Sequence, residues 1–349
     1  MSAASDGARP RMTATVGGEP ASRSLHWGHL FRAREAGVLL ALLLMCAFLS
    51  VATDGFLTTI NLLNVGRQIS LLGIMAVGMT FVLTCGEVDL SVGSNYALSG
   101  LSTGMLIVAG WHLAPAVAAG LLCGATIGGI NGVLSTYGRL PSLIATLGMM
   151  SVVRGLALII TNGAPVTVDL RNGAAPATLA SFAFMGQGYL FGAIPMQLVC
   201  FVAVAALGWA PLSWTNFGFC VFAVGGSMKA ARVSGIAVER IKSWTFVLMG
   251  VLAAFAGILS LAFLPSGQAG QTGLGLELDV IAATIVGGTS LSGGEGTIMG
   301  TILGVLIIGV LRNGLILTGI SPFVQEFMVG VVIIGAVAID RWTASRRGG

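Results

Sequence analysis

Long apolar segments alternate with short polar ones along most of the 349-residue chain. At about 20 residues per membrane-spanning helix, this pattern predicts ten spans. Between the fifth and sixth, residues 162–193 hold Pro165 and Pro176 and no long apolar run, which predicts a loop outside the membrane. The chain is therefore predicted to be all-α, a polytopic membrane protein. The ten segments cover roughly 37–53, 60–84, 91–110, 114–134, 142–161, 194–211, 243–264, 278–290, 297–318 and 323–340.

Composition supports the same class. The chain is 55% hydrophobic and 9% charged, with a mean hydropathy of +0.94, whereas about a quarter of residues are charged in soluble domains. Its 52 glycines suit helices that approach closely in lipid. The five cysteines are scattered singly without a CxxC pair, so we interpret them as small apolar residues and expect no metal site.

Basic residues predict the orientation. Thirteen arginines and lysines fall on one side if both termini are cytoplasmic, and only Arg171 falls clearly on the other. An excess of basic residues marks cytoplasmic segments. Residues 1–36 contain five arginines and no apolar period, and they are predicted to be a disordered cytoplasmic tail ahead of the transmembrane domain 37–349.

The two halves of the chain repeat each other. NGVLSTYGRLP starts at Asn131 and NGLILTGISP starts at Asn313, and each follows a helix with glycines spaced by four. An E-x-D pair also precedes the third and the eighth segment. Because five spans separate the copies, the second copy is inverted, as in many transporters. We predict inverted five-helix repeats at about 37–161 and 194–340, with coincidence in a glycine-rich sequence as the alternative.

Charge collects between two apolar segments from Asn216 to Lys242, and both lysines of the protein lie there. Met228–Ser234 is predicted to form a short helix, capped by Ser227 and ended by Gly235. Such a helix on the cytoplasmic side is a docking element for a cytoplasmic partner, or else an ordinary basic loop. The residues assigned to docking are Ser227, Met228, Lys229, Ala231, Arg232, Val233 and Gly235.

Acidic residues near membrane depth are costly and need a reason. One interpretation is that these segments flank a translocation path, because glycines break the helices there. The alternative is that the acids lie at the membrane surface and cap helix N-termini. Asn131 and Asn313 can bind either a neighbouring helix or a solute. The residues assigned to the path are Glu87, Asp89, Ser91, Asn131, Glu277, Asp279 and Asn313.

Motifs for catalysis are absent from the sequence. GGTSLSGGEG at 287–296 lacks the GK[ST] ending of a nucleotide-binding loop, and there is no HExxH, GxSxG or Cys-His cluster. We therefore expect no catalytic residue and no cofactor. The net charge of +4 comes from the tails and the central loop, so it gives no indication of nucleic-acid binding.

Several stretches resemble the inner-membrane permeases of bacterial ABC importers for monosaccharides, the ribose permease family. They are GEVDLSVGS, RLPSLIATLGMMSVVRGLALIITNG, FAVGGSMKAARVSGI and GLGLELDVIAATIVGGTSLSGGEGTIMGTILGVLIIGVLRNGL, together with the final span. The resemblance covers nearly the whole chain from about residue 37. In the docking stretch, Ser227 and Val233 replace the Asn and Leu usual in the family.

The resemblance implies a non-catalytic permease subunit in the bacterial inner membrane. A second copy or a paralogous permease would complete the pore, a separate ABC ATPase would bind ATP below it, and a periplasmic protein would deliver the sugar. Related permeases carry nucleosides or branched-chain amino acids, so the solute class stays open. An ion-coupled secondary transporter and a membrane-embedded enzyme with paired carboxylates are the rival hypotheses; the docking helix argues against the first.

Overall fold

The computed structural model describes residues 33–321 and isolated positions between 324 and 338, and these form a helical protein. Four two-residue strands are the only extended pairs among them: β1 (Val166–Thr167) with β4 (Ser266–Gly267), and β2 (Tyr189–Leu190) with β3 (Ile194–Pro195), both antiparallel. The helices are α1 (Ala33–Ala52), α2 (Thr59–Thr84), α3 (Val92–Val108), α4 (Leu113–Thr136), α5 (Ser142–Thr161), α6 (Pro176–Gln187), α7 (Met196–Trp214), α8 (Asn216–Gly226), α9 (Met228–Val233), α10 (Val238–Phe263), α11 (Leu276–Val286) and α12 (Ile298–Leu317).

The nine predicted segments that lie in the described residues are helices, but the count of ten spans is not confirmed. Seven helices are long and apolar enough to cross a membrane: α1, α2, α4, α5, α7, α10 and α12. α3 has 17 residues and α11 has 11, because glycine-containing stretches precede both. The predicted tail 1–36 lies outside the described residues except for its last four, where α1 begins, and so do most of the final span and the C-terminal tail.

Two loops contain helices that the sequence pattern did not reveal. α6 lies inside the segment 162–193, and α8 lies inside the 212–242 segment that was assigned to a loop around one short helix. Neither helix exceeds 12 residues, so neither has an apolar period long enough to detect. α10 also begins at Val238, five residues before its predicted start, because its first turn carries charged residues.

The two 26-residue helices α2 and α10 form the centre of the protein. α10 packs on α3 and α4 of the first half, and α2 packs on α11 and α12 of the second half. Each half therefore encloses the long helix of the other.

The predicted glycine-spaced faces are sites of close helix packing. A Cβ at Gly128 on α4 would overlap the carbonyl oxygen of Phe246 on α10, and a Cβ at Gly304 on α12 would overlap that of Ala283 on α11. Helices in membranes associate through such backbone approach. Gly296, which with Gly300 and Gly304 forms the predicted spacing of four in the second half, precedes α12 and meets the hydroxyl of Thr84 instead of a neighbouring helix backbone.

Two groups of contacts mark the two opposite ends of the protein. At one end, the N–H of Gly294 donates to the carbonyl of Thr84 at 2.9 Å, beside α8 and α9. At the other end, Asn61 at the start of α2 binds Asn313 near the end of α12. We call the first the docking end and the second the far end. The far end also holds both strand pairs, and α2 spans about 39 Å between the two, at 1.5 Å per residue.

Candidate functional site

The predicted short helix is present as α9. The hydroxyl of Ser227 accepts a hydrogen bond from the N–H of Ala230 at 3.3 Å, which caps the helix start. Gly235 follows the helix with φ of +83°, a conformation that glycine adopts without strain. The structure therefore confirms both the cap and the stop; the helix ends at Val233, one residue earlier than predicted.

The outward face of α9 differs from the prediction at one position. The expectation that Ala231 lies on the outward face is wrong, because Ala231 is 4% exposed and packs into the apolar core. Val233 is 90% exposed and Met228 is 40% exposed. Of the residues assigned to docking, all except Ala231 are exposed and available to a partner: Ser227, Met228, Lys229, Arg232, Val233 and Gly235.

Arg232 is also less available to a partner protein than predicted. Its guanidinium forms an ion pair with Glu239 in the first turn of α10, and both side chains are well exposed. An exposed pair of this kind contributes little to stability. It does orient Arg232 along the base of α9, towards a crevice of about 610 Å³ that is also lined by Arg139, Ser135 and Lys242.

Four of the residues assigned to a path meet near the docking end. Asp89 accepts hydrogen bonds from the N–H and the hydroxyl of Ser91, at 2.8 and 2.7 Å. The Asn131 amide donates to the Ser91 hydroxyl at 2.8 Å and to Asp89 at 3.4 Å. Glu87, two residues earlier, forms an ion pair with Lys242 of α10. All four lie in the 85–91 segment, which we call the α2–α3 linker, or on α4 beside it.

The other three residues lie towards the far end. Asp279 in the first turn of α11 pairs with Arg312 of α12 at 2.6 Å. Asn313 and Asn61 exchange two amide hydrogen bonds, at 2.7 and 3.0 Å. Glu277 lies nearby, with one buried carboxylate oxygen that makes no hydrogen bond. The structure therefore places the predicted path residues in two separate clusters, one near the docking end and one towards the far end.

Most side chains of both clusters form their hydrogen bonds or ion pairs with other residues of this chain. Asp89 precedes α3 and accepts from Ser91, and Glu277 and Asp279 lie in the first turn of α11, but no side chain forms a capping hydrogen bond at the start of either helix. Lys242, Arg312 and Asn61 are partners that the sequence analysis missed. Lys242 and Arg312 were visible as rare basic residues at the edge of or within apolar segments, but nothing in the sequence indicated what they bind.

A second cavity, of about 180 Å³, lies at the far end between α3, α10 and the segment 264–275. Tyr96, Gly100, Ser260 and Thr272 are among the residues that line it. Arg154 of α5 donates to the carbonyls of Ala269 and Thr272, at 2.7 and 2.5 Å, and so holds this segment in place. The assigned path residues line neither this cavity nor the docking-end crevice.

Seven helices in the described part of the chain are able to span a bilayer, and this defines a multi-pass membrane protein. The chain belongs to a permease family, because residues 61–337 match the family described as branched-chain amino acid transport system / permease component. The resemblance drawn from the sequence is thereby confirmed.

Individual relatives are sugar permeases by name. The chain is 42% identical to the ribose import permease protein of Bacillus subtilis over 88% of this chain and 93% of that one. It is equally similar to the ribose import permease protein of Escherichia coli K12, with the same coverage. It is 39% identical to the L-arabinose ABC transporter permease protein of Azospirillum brasilense, over 90% and 89% of the two chains. No solved structure gives a significant match to the chain.

Proposed function

We propose that this protein is the permease subunit of an ATP-driven importer in the bacterial inner membrane and that it carries a monosaccharide. The main support is the 42% identity to ribose import permeases over nearly the full length of both chains. Ribose and arabinose are both five-carbon sugars, and the named relatives include permeases for each. A pentose is therefore the solute class that the similarity favours.

The docking end faces the cytoplasm in this proposal, because the four arginines and lysines of the 212–242 segment lie there and an excess of basic residues marks cytoplasmic segments. Ten spans in two inverted repeats, with both termini cytoplasmic, complete the topology. The far end, with the loops 162–193 and 264–275, then receives sugar from a periplasmic binding protein.

A separate ABC ATPase binds α9 at its exposed apolar residues, Met228 and Val233. Lys229 and Arg232 lie at the rim of the same face and suit acidic side chains on the partner. The permease itself holds no nucleotide and no catalytic residue. A second copy or a paralogous permease forms the pore with this one, and the two acidic clusters flank the path for the sugar.

Reconstitution tests the proposal directly. The permease is placed in proteoliposomes with an ABC ATPase and a sugar-binding protein from the same organism, and uptake of labelled ribose, arabinose and a nucleoside is measured with and without ATP. We expect pentose uptake only when ATP and all partners are present. Uptake driven by an ion gradient without the ATPase would establish a secondary transporter instead, and preference for the nucleoside would reassign the solute.

The docking surface is tested by a pair of single substitutions. Val233→Asp places a charge in the apolar contact and should release the ATPase during co-purification, because a buried unpaired charge costs several kcal/mol, about 3–5. Gly226→Ala is the matched control, since a Cβ there meets nothing within 4 Å. Retention of the ATPase by Val233→Asp would show that α9 is not the docking element.

A further inference from the structure

The chain segments on both sides of α9, the docking helix, contact the α2–α3 linker or the end of α2 next to it. After α9, Lys242 in the second turn of α10 forms its ion pair with Glu87 in the linker. The two side chains are only 9% and 8% exposed. Removing charges from water is costly, so a pair this deeply buried fixes the relative position of its two elements more strongly than an exposed one.

On the N-terminal side of α9, the end of α8 is in close backbone contact with the end of α2. A Cβ at Gly225, in the last turn of α8, would overlap the carbonyl oxygen of Thr84 at the end of α2. Gly293 packs against the same place, where an added Cβ would lie 2.9 Å from the Cα of Gly86. The chain on either side of α9 therefore contacts residues 84–87, and a rigid shift of α9 must displace that segment or break these contacts.

The linker in turn leads into the transmembrane part. Its last residues, Asp89 and Ser91, are hydrogen-bonded to Asn131 of α4 and begin α3. α3 then continues to the far end, where Tyr96 and Gly100 line the cavity beside the segment 264–275. One continuous element thus joins the contacts around the docking helix to a cavity at the opposite end.

We propose that Glu87 and Lys242 are positioning residues for transport: their ion pair passes the movement of the docking helix to α3. This inference rests on the proposed function, because it needs an ATPase that moves α9. The docking surface and the ion pair are then separate requirements. The ATPase can bind and hydrolyse ATP when the pair is broken, but the sugar is no longer moved in step with hydrolysis.

The ratio of sugar moved to ATP hydrolysed separates this role from a purely structural one. In proteoliposomes holding the permease, its ATPase and its binding protein, we measure labelled ribose uptake and phosphate release for Glu87→Gln. We expect the ratio to fall by about tenfold, a coupling loss at the upper end of those seen along such networks. The ATPase should still co-purify. A loss of folded protein alone would lower both rates together and leave the ratio unchanged.

Two further variants make the result decisive. Arg67→Gln removes the contact between Arg67 and Tyr189 at the far end and should leave the ratio unchanged, because that contact does not touch the docking helix. The exchange Glu87→Lys with Lys242→Glu rebuilds the pair in reverse and should return the ratio to within about threefold of the unchanged protein. An equal ratio in Glu87→Gln and Arg67→Gln would overturn the inference, as would an exchange variant that folds but stays uncoupled.

If Glu87→Gln does not accumulate, the exchange variant decides alone: a restored ratio supports the inference and a low one overturns it. The proposed function is judged separately, on the unchanged protein. If that protein moves no pentose, the proposed function fails and this inference falls with it. If it moves pentose and only the ratios disagree with expectation, the inference alone fails.

Discussion

The starts of α2 and α10, the two 26-residue helices, each contact the other half of the chain, but the contacts differ in kind. Asn61, the third residue of α2, crosses to Asn313 of the second half through neutral amide hydrogen bonds. Lys242, the fifth residue of α10, crosses to Glu87 of the first half through an ion pair. Both contacts join the halves, one at the far end and one at the docking end. Only the charged contact adjoins the segment that is unique to one half, α8 and α9.

The two E-x-D pairs also differ in which of their acids has a basic partner. At the docking end the first acid, Glu87, has the basic partner, and Asp89 serves the start of α3. Towards the far end the second acid, Asp279, has the basic partner instead. Similar sequence in the two halves therefore does not imply similar contacts. We attribute the difference to the docking segment, which leads directly into α10 and so places Lys242 beside the linker.

The largest expected effect concerns the contact that holds the halves together. Gly128→Leu should remove most of the folded protein, because its Cβ alone would overlap the Phe246 carbonyl, at a cost above about 3 kcal/mol. The amount of detergent-extracted, monodisperse protein measures this. Gly148→Leu on α5 is the control, since a Cβ there meets nothing within 4 Å. Normal amounts of both variants would mean that α4 and α10 are not in close contact.

The next effect compares the two ion pairs. Arg312→Gln should lower the free energy of unfolding by about 1–2 kcal/mol, below the 3–5 typical of a fully buried pair. The reason is that the Arg312 side chain is 30% exposed, whereas both members of the docking-end pair are below 10%. Glu87→Gln should therefore cost more stability than Arg312→Gln. Thermal unfolding in detergent gives the comparison, and the reverse order would contradict it.

A smaller effect is expected for the neutral pair. Asn61→Ala and Asn313→Ala should each lower the free energy of unfolding by about 1 kcal/mol, because each leaves an amide with fewer hydrogen bonds. A double-mutant cycle should give a coupling of about 0.6–1.7 kcal/mol, the range for hydrogen bonds between membrane helices. Additive losses would indicate that the two amides do not interact. The coupling should also be insensitive to salt, because no charge is involved.

The smallest effect concerns one strained residue at each end. Arg139 at the docking end and Phe191 at the far end are exposed non-glycine residues with φ of +56° and +53°. Replacing either by glycine relieves the left-handed strain, partly offset by the entropy that glycine loses on folding. We expect stabilisation of about 0.5 kcal/mol or less for each, measured as a small rise in the unfolding temperature. A clear loss at Arg139 would show that its side chain has a structural role.

Local signals in the sequence were enough for much of the fold. The span predicted at 142–161 has the same bounds as α5, and α9 was recognisable from its serine cap and its final glycine. The long membrane-spanning helices were predictable from the length of their apolar runs. The inward position of Ala231 was not predictable, because a six-residue helix has too few turns for a pattern of buried positions.

The contacts of the candidate site were mostly beyond the sequence. Asn61 and Asn313 are 252 residues apart, and Glu87 and Lys242 are also distant along the chain. Such pairs depend on how the halves pack, and a single sequence gives no information on that. Asp89 with Ser91 was within reach, because both residues lie at the start of one helix.

The enclosure of each long helix by the opposite half also affects how the chain is made. Asn95 on α3 donates its side-chain amide to the carbonyl of Gly250, 155 residues later. At 5–20 residues per second, a ribosome needs on the order of ten seconds or more to supply that partner. In that interval the first half lies in the bilayer without α10, and Gly128 and Gly132 of its glycine face lack the helix on which they pack. The completed second half therefore acts as the assembly partner of the first, and a nascent chain that stops before α10 should be a substrate for membrane proteases.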